Sequence, residues 1–146
     1  MNSIVIRQAI TEDEIREVFS IRKEVFVTEQ GMFQGSDVDE NDSNSIYLIA
    51  QSNGTIVGTV RAFPVDGNSW IGGRLAVRKN FRGSRAGFFL VQEAVKLVKS
   101  KKGRRFSANI QEKNINFFKK LGWIPVGNVF DHMGYPHQIM EVDLNA

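Results

Sequence analysis

The chain has 146 residues, 42% of them apolar, no cysteine and a formal net charge of +3. That size predicts one domain, residues 1–146, with its own core, and the missing cysteines exclude disulfides, thiolate nucleophiles and zinc–sulfur sites together. No apolar run of about 18 residues and no basic-then-apolar start is present, so neither a membrane span nor a secretory signal is expected and a cytoplasmic home is.

Much of the positive charge lies in Lys99, Lys101, Lys102, Arg104 and Arg105. Cations at a predicted helix C-terminus complement its dipole, so they read as a solvated face and no nucleic-acid partner is expected.

In chain order, Ser3 to Ala9 alternates and reads as a first strand. Thr11 then opens a helix: Thr11 and Glu14 have capping-box spacing, and Ile10 and Ile15 that of a hydrophobic staple. Its buried stripe is Ile15, Val18, Phe19, Val25 and Phe26, with Arg22 on the same stripe, where a charge needs a partner or must snorkel to water. Val27 to Asp42 is a loop or broken helix. Its Asp37, Asp39 and Asp42 lack the glycine and distal glutamate of a calcium loop, so no metal is expected.

Ser45 to Gln51 is a strand with Ile46, Leu48 and Ala50 on one face and Tyr47 and Ile49 on the other. Asn53-Gly54 is a hairpin turn and Thr55 to Val65 its antiparallel partner. After Asp66-Gly67-Asn68, Trp70 to Val77 is a strand whose Gly72-Gly73 pair calls for a bulge or a close backbone approach. A helix follows to about Lys102, stopped by Gly103. Arg105 to Ile110 returns as a parallel strand, Glu112 to Leu121 is a short helix capped by Gly122, and Trp123 to Val129 and His137 to Leu144 are the last strands, with a loop of residues 130–136 between them.

The stretch Leu75-Ala76-Val77 to Arg82-Gly83-Ser84-Arg85-Ala86-Gly87 carries the chemistry. A strand feeding a glycine-containing turn into a helix presents unpaired N–H groups and a positive dipole end, which suits a phosphate or diphosphate. The run from Val77 through Arg82-Gly83 to Gly87 resembles the acetyl-CoA pyrophosphate loop of the GNAT N-acetyltransferases, with Arg85 where the family's middle glycine belongs. Asn114 to Trp123 is similar to that family's Phe-Tyr helix. More narrowly, V-F-V-T-E-Q, W-I-G-G-R-L-A-V, N-F-F-K-K-L-G-W and G-Y-P-H-Q-I-M-E-V-D-L together resemble the nitrogen-starvation-associated GNAT group.

This resemblance implies an α/β (α+β) GNAT fold: a mixed, mostly antiparallel twisted sheet of about six or seven strands with a central parallel pair and flanking helices. It implies an acetyl group moved from acetyl-CoA to the amine of a small molecule by direct attack, and it leaves a homodimer open. Cofactor contacts are expected from Leu75, Ala76, Val77, residues 82–87, Asn114, Phe117 and Phe118. Many GNAT enzymes protonate the leaving thiolate with the tyrosine of the Phe-Tyr pair; Phe118 stands there and has no proton to give.

A second resemblance covers the acceptor side. Arg22, Phe26, Asp37, Asp39, Asp42 and Arg61 look like the acidic-and-arginine core of the acyl-homoserine-lactone synthases, which share the GNAT fold. On this pattern Arg22, Phe26, Asp37, Asp42, Arg61 and Arg74 are candidate substrate contacts, and the two arginines Arg61 and Arg74 suit an acceptor carboxylate or phosphate. Gly72, Gly73 and Arg74 occupy the strand position where many GNAT enzymes carry a glutamate base, which leaves Glu29, Asp39 and His137 as candidate bases, the histidine because it titrates in the right range. A non-catalytic CoA-binding subunit is the remaining alternative, motivated by Phe118 and Arg85.

Overall fold

The structure, a computed structural model, describes residues 3–145. Seven strands form one mixed sheet in the order β1-β2-β3-β4-β5-β7-β6: β1 (Ile4–Gln8), β2 (Ile46–Ser52), β3 (Thr55–Asp66), β4 (Ser69–Val77), β5 (Arg105–Gln111), β6 (Trp123–His132) and β7 (Tyr135–Val142). Three helices, α1 (Glu12–Arg22), α2 (Ala86–Ser100) and α3 (Ile115–Lys120), flank it. Every strand pairing is antiparallel except β4 with β5, which are joined by the helical crossover through α2 that a parallel neighbour needs. This is the α/β architecture that the resemblance implied.

The period-two pattern of β2 decides which helix covers which face. Leu48 and Ala50 join the core under α2, together with Leu90, Val91, Ala94 and Val98. Tyr47 and Ile49 point the other way, to Val18 of α1. Full burial of such a side chain contributes about 1.5–3 kcal/mol, so slipping β2 by one residue would turn four buried side chains over at once.

Helix α1 begins as expected, with the Thr11–Glu14 capping box formed. The staple is not: Ile10 stands 75% exposed. Beyond Arg22 the helix widens into a π-helical stretch, Lys23–Glu29, with the Gln30 N–H reaching back five residues to the Val25 carbonyl. Such widening is frequent at functional sites, and here it keeps Val25 and Phe26 buried against Ala76 of β4.

Other turns depart from expectation for identifiable reasons. Helix α2 ends in a Schellman motif in which Lys102, not Gly103, takes the left-handed conformation (φ 64°); the Gly103 N–H bonds the Val98 carbonyl and the Lys102 N–H that of Lys99. Gly103 is required for clearance, since a Cβ there would lie 2.4 Å from the Val98 side chain. The expected loop of residues 130–136 is instead a tight hairpin: β6 and β7 extend to His132 and Tyr135 around Met133-Gly134, both at positive φ. Methionine is an unusual residue for that conformation, which hid the turn.

Among the described residues, no helix is long and apolar enough to cross a membrane.

Candidate active site

The parallel pair stops early. Strands β4 and β5 are in register only from Ser69–Arg105 to Gly72–Ala108, although β4 continues to Val77 and β5 to Gln111. Beyond that point they part, and the edge of β4 from Gly73 to Val77 that faces β5 has no strand beside it. A cleft of about 310 Å³ opens at the parting.

Two local features create it. A Cβ on Gly72 would sit 2.9 Å from the Phe106 ring, so the last paired position must be glycine. The bulge then falls one step later than the glycine pair: Arg74 and Leu75 together face the single residue Val60 of β3, and Arg74 adopts φ 52°. A non-glycine residue held there costs of order 1–3 kcal/mol and persists only where its surroundings over-determine it. What holds Arg74 is a network on the α1 side of the sheet.

In that network Arg22, 0% exposed, donates from Nε to Asp37 Oδ2 (2.8 Å) and from Nη1 and Nη2 to Asp42 (2.6 and 3.0 Å). Arg61 grips Asp39 with both terminal nitrogens (2.7 and 2.8 Å) and approaches Asp42 at 3.0 Å. Arg74 donates to the Asp37 carbonyl (2.9 Å) and to Asp39 Oδ2 (3.2 Å). Tyr47 donates its hydroxyl to Asp42 (2.8 Å). Arg22 therefore does not snorkel; it is buried and fully paired.

The electrostatics follow from these bonds. Burial pushes the Asp42 carboxyl up, but bonds from Arg22, the Asp39 N–H and Tyr47 outweigh it and hold it well below the usual carboxylate range. The bonds from Arg61 likewise hold Asp39 low. Burial, with Asp42 as neighbour, pushes the Tyr47 phenol up to about 12. Carboxylates held low by guanidinium partners are poor bases, and Asp39 is engaged as the ion-pair partner of Arg61.

The loop before α2 is a short 3₁₀ turn, Lys79–Ser84, followed by Arg85 in the left-handed conformation (φ 69°). Among the described residues no side chain caps the first turn of α2, whose N-cap is Arg85; the hydroxyl of the preceding Ser84 donates to the Phe81 carbonyl (2.5 Å). The side chain of Arg85 turns away over Phe88 and Phe89, at 4.6 and 5.6 Å from the ring centres. Arg82 is held by Glu29 through two bonds (2.5 and 2.6 Å) and bonds the Val77 carbonyl (3.0 Å). That pairing keeps Glu29 below the usual carboxylate range.

Of the predicted residues, Phe26, Arg61, Arg74, Leu75, Asn114, Phe118 and His137 line the cleft; Arg22, Asp37 and Asp42 stand behind Arg61 and Arg74 and do not. His137 is 4% exposed, and its Nδ1 lies 2.9 Å from the Tyr135 carbonyl. A carbonyl can only accept, so Nδ1 carries the proton and Nε2 is the basic nitrogen of the neutral ring. Phe118 packs edge-on to Trp123 at 5.5 Å. Sequence reasoning missed His132, whose ring is 5.1 Å from that of His137, and Trp123, whose buried indole N–H has no partner among the described residues. The Met133-Gly134 turn brings His132 opposite Tyr135, and because the methionine hid that turn, only Gly134 could have pointed to the former.

Comparison with known proteins places the chain that carries this split pair and uncapped helix start. The model of the acetyltransferase (GNAT) family matches residues 8–123. The chain belongs to the GNAT acetyltransferase family. It is 27% identical over 136 residues to the uncharacterized N-acetyltransferase YjcF of Bacillus subtilis, covering 92% of this chain and 96% of that protein. Among solved structures, Escherichia coli ElaA superposes with a TM-score of 0.84 at 22% identity, covering 98% of this chain and 100% of the other. The CoA-dependent acyl-homoserine lactone synthase BjaI, solved with S-adenosylmethionine and isopentyl-CoA, superposes at 0.77 with 18% identity over 99% and 84% of the two chains. At these identities both structures share the fold. As a GNAT protein with relatives named N-acetyltransferases, the chain is an acyltransferase.

Proposed function

We propose that this single-domain GNAT protein, cytoplasmic and akin to the nitrogen-starvation-associated group, transfers an acetyl group from acetyl-CoA to the amine of a small molecule by direct attack. The observation that carries the reading is the parting of β4 and β5 after Gly72–Ala108, because it lets a thioester lie against an open strand edge. Main-chain groups from Leu75 to Val77 then polarise the carbonyl. The uncapped amides of residues 86–88 and the guanidinium of Arg82 hold the diphosphate, with Gly83, Ser84, Arg85 and Gly87 shaping the loop. Asn114, Phe117 and Phe118 flank the pantetheine arm, and Phe118 serves by packing alone.

The acceptor nitrogen bonds to the acetyl carbon, the carbon–sulfur bond breaks, and the nitrogen's proton must leave as the thiolate departs. His137, through Nε2 directly or one water away, takes that proton. Asp39 stays tied to Arg61, and Glu29, freed when the diphosphate takes Arg82, is not among the residues lining the cleft, so neither competes. The test is release of free CoA thiol from acetyl-CoA with a panel of amines. His137→Gln is expected to slow turnover about 10²–10⁴-fold near neutral pH and to change the shape of the pH–rate profile; an unaltered profile removes the histidine. Turnover only with S-adenosylmethionine and an acyl carrier protein would favour the acyl-homoserine-lactone-synthase-like alternative. Acetyl-CoA binding without turnover of any amine would favour a CoA-binding subunit.

A further inference from the structure

The acyl-transfer reading leaves the acceptor open, and the α1 side of the cleft constrains it. That side is built from apolar side chains, Met32, Phe33 and Phe63, and from two guanidiniums, Arg61 and Arg74. No aspartate or glutamate is in the lining. An acceptor with several ammonium groups would therefore bring its spare charges to a wall of like sign, since Asp37, Asp39 and Asp42 are occupied by the arginines in front of them.

The guanidiniums are also incompletely used. All three nitrogens of Arg22 are bonded. Among the described residues, Arg61 is 5% exposed yet its Nε has no partner, and Nη1 of Arg74 makes no hydrogen bond while Nε and Nη2 do. Leaving a buried guanidinium N–H unmet is costly; Arg61 Nε is closed off from the cleft, so the donor open to a ligand is Nη1 of Arg74, whose side chain is 19% exposed. The rings of Phe33 and Phe63 lie 4.6 and 5.2 Å from the guanidinium carbons of Arg74 and Arg61, so the wall joins apolar surface to a cation edge.

We propose that the acceptor is an apolar amine bearing one carboxylate, of which an apolar α-amino acid is the simplest member, and that Arg74, supported by Arg61, reads the carboxylate while Met32, Phe33 and Phe63 take the apolar body. A single anion is favoured over a phosphate dianion because three guanidiniums already face three carboxylates, so the wall offers an unused N–H donor and no surplus positive charge, and a second negative charge would be met worse than the first. The bulge at Arg74 gives its strained backbone a purpose: it delivers the guanidinium to the place where the open edge of β4 begins. The inference rests on the acyl-transfer reading and specifies its acceptor. The transfer keeps the same balance: the amine nitrogen gains the acetyl carbon, sulfur leaves as thiolate, and the amine's proton passes to His137 or water.

The experiment compares phenylalanine, phenylalaninamide, phenethylamine and spermidine as acceptors in thiol release from acetyl-CoA, at equal concentrations of neutral amine. Phenylalanine is expected to exceed phenylalaninamide and phenethylamine in kcat/KM by about tenfold or more, as loss of a charge-assisted contact implies. Arg74→Gln should shrink that ratio at least about fivefold, with the change carried by KM, and Arg74→Lys should restore part of it. Calorimetry on the CoA-loaded protein gives a second reading, in which N-acetylphenylalanine should bind more tightly than N-acetylphenethylamine. Equal or better turnover of phenethylamine, phenylalaninamide or spermidine overturns the acceptor inference and leaves acyl transfer standing. No thiol release from any of the four, with no preference between the two acetylated products, overturns both.

Discussion

Two of the molecule's arginine–carboxylate assemblies have opposite character. Behind the acceptor wall, Arg22 pairs with Asp37 and Asp42 and none of the three side chains is more than 7% exposed. At the loop before α2, Arg82 pairs with Glu29 with side chains 40% and 34% exposed. The chemistry is the same, yet the consequences differ. A buried pair is expensive to form and more expensive to break, because each partner left alone is a charge out of water. An exposed pair is worth about 0.2–1 kcal/mol, little enough for a diphosphate to displace it. The first assembly fits a scaffold, the second a reserved binding group.

The largest effect is expected from breaking the buried side of this contrast. Arg22→Met leaves Asp37 and Asp42 each short of a partner, and the cost should approach the roughly 3–5 kcal/mol typical of an opened buried pair, read as a fall in unfolding free energy by urea denaturation. Asp37 keeps Arg74, and Asp42 keeps Arg61 and Tyr47, which argues for the lower end of that range. A loss under 1 kcal/mol would mean that the network does not hold the wall.

Arg82→Ala should do the reverse. Stability should change by no more than about 1 kcal/mol, while the dissociation constant for acetyl-CoA rises about 10–100-fold, since a charge-assisted contact contributes about 1.5–3 kcal/mol. Unchanged affinity by calorimetry would remove the diphosphate assignment from this loop.

This contrast was only half visible in the sequence. The capping box at Thr11, the Asn53-Gly54 hairpin and the two-faced β2 are local patterns whose cause lies within a few residues, and all three formed. The order of elements was equally legible, since each helix and strand carries its own period. Partnerships were less so: Arg22 meets carboxylates 15 and 20 residues away, and Arg82 meets Glu29 across 53, distances over which no periodicity speaks. Conformations that break the residue's own preference were invisible too. Arg74, Arg85, Lys102 and Met133 all take positive φ, and nothing in an arginine, lysine or methionine announces that. Arg74 shifted the bulge from the expected glycines, and Met133 turned an expected loop into the hairpin that carries His132.

Acid titration compares the two assemblies without mutation. Asp42, Asp39 and Glu29 are held below their ordinary values by arginine partners, so each contributes stability that is present above the unfolded carboxylate range near pH 4 and is lost as pH falls through the lower folded value. For the network, cooperative loss of structure should set in below about pH 4, and Arg22→Met should move it toward neutrality. Tyr47, raised to about 12, works in the opposite direction: its contribution is intact below about pH 10 and fades as pH rises through the folded value. For the exposed pair the same acid step should leave the fold in place.

The smallest effect sharpens the contrast most. If Glu29 occupies the guanidinium that a diphosphate needs, the two compete, and the pair's strength is subtracted from cofactor affinity. Glu29→Gln removes the competing charge while leaving an amide that can still accept from Arg82, so stability should move by less than about 1 kcal/mol. Affinity for acetyl-CoA should tighten by up to about fivefold, the fold-change of about 1 kcal/mol. The gain should vanish in the Arg82→Ala, Glu29→Gln double variant, because without the guanidinium there is nothing to compete for. Weaker binding by Glu29→Gln alone would reverse the assignment: Glu29 would then be ordering the loop in its binding conformation, and the exposed pair, like the buried one, would be scaffold.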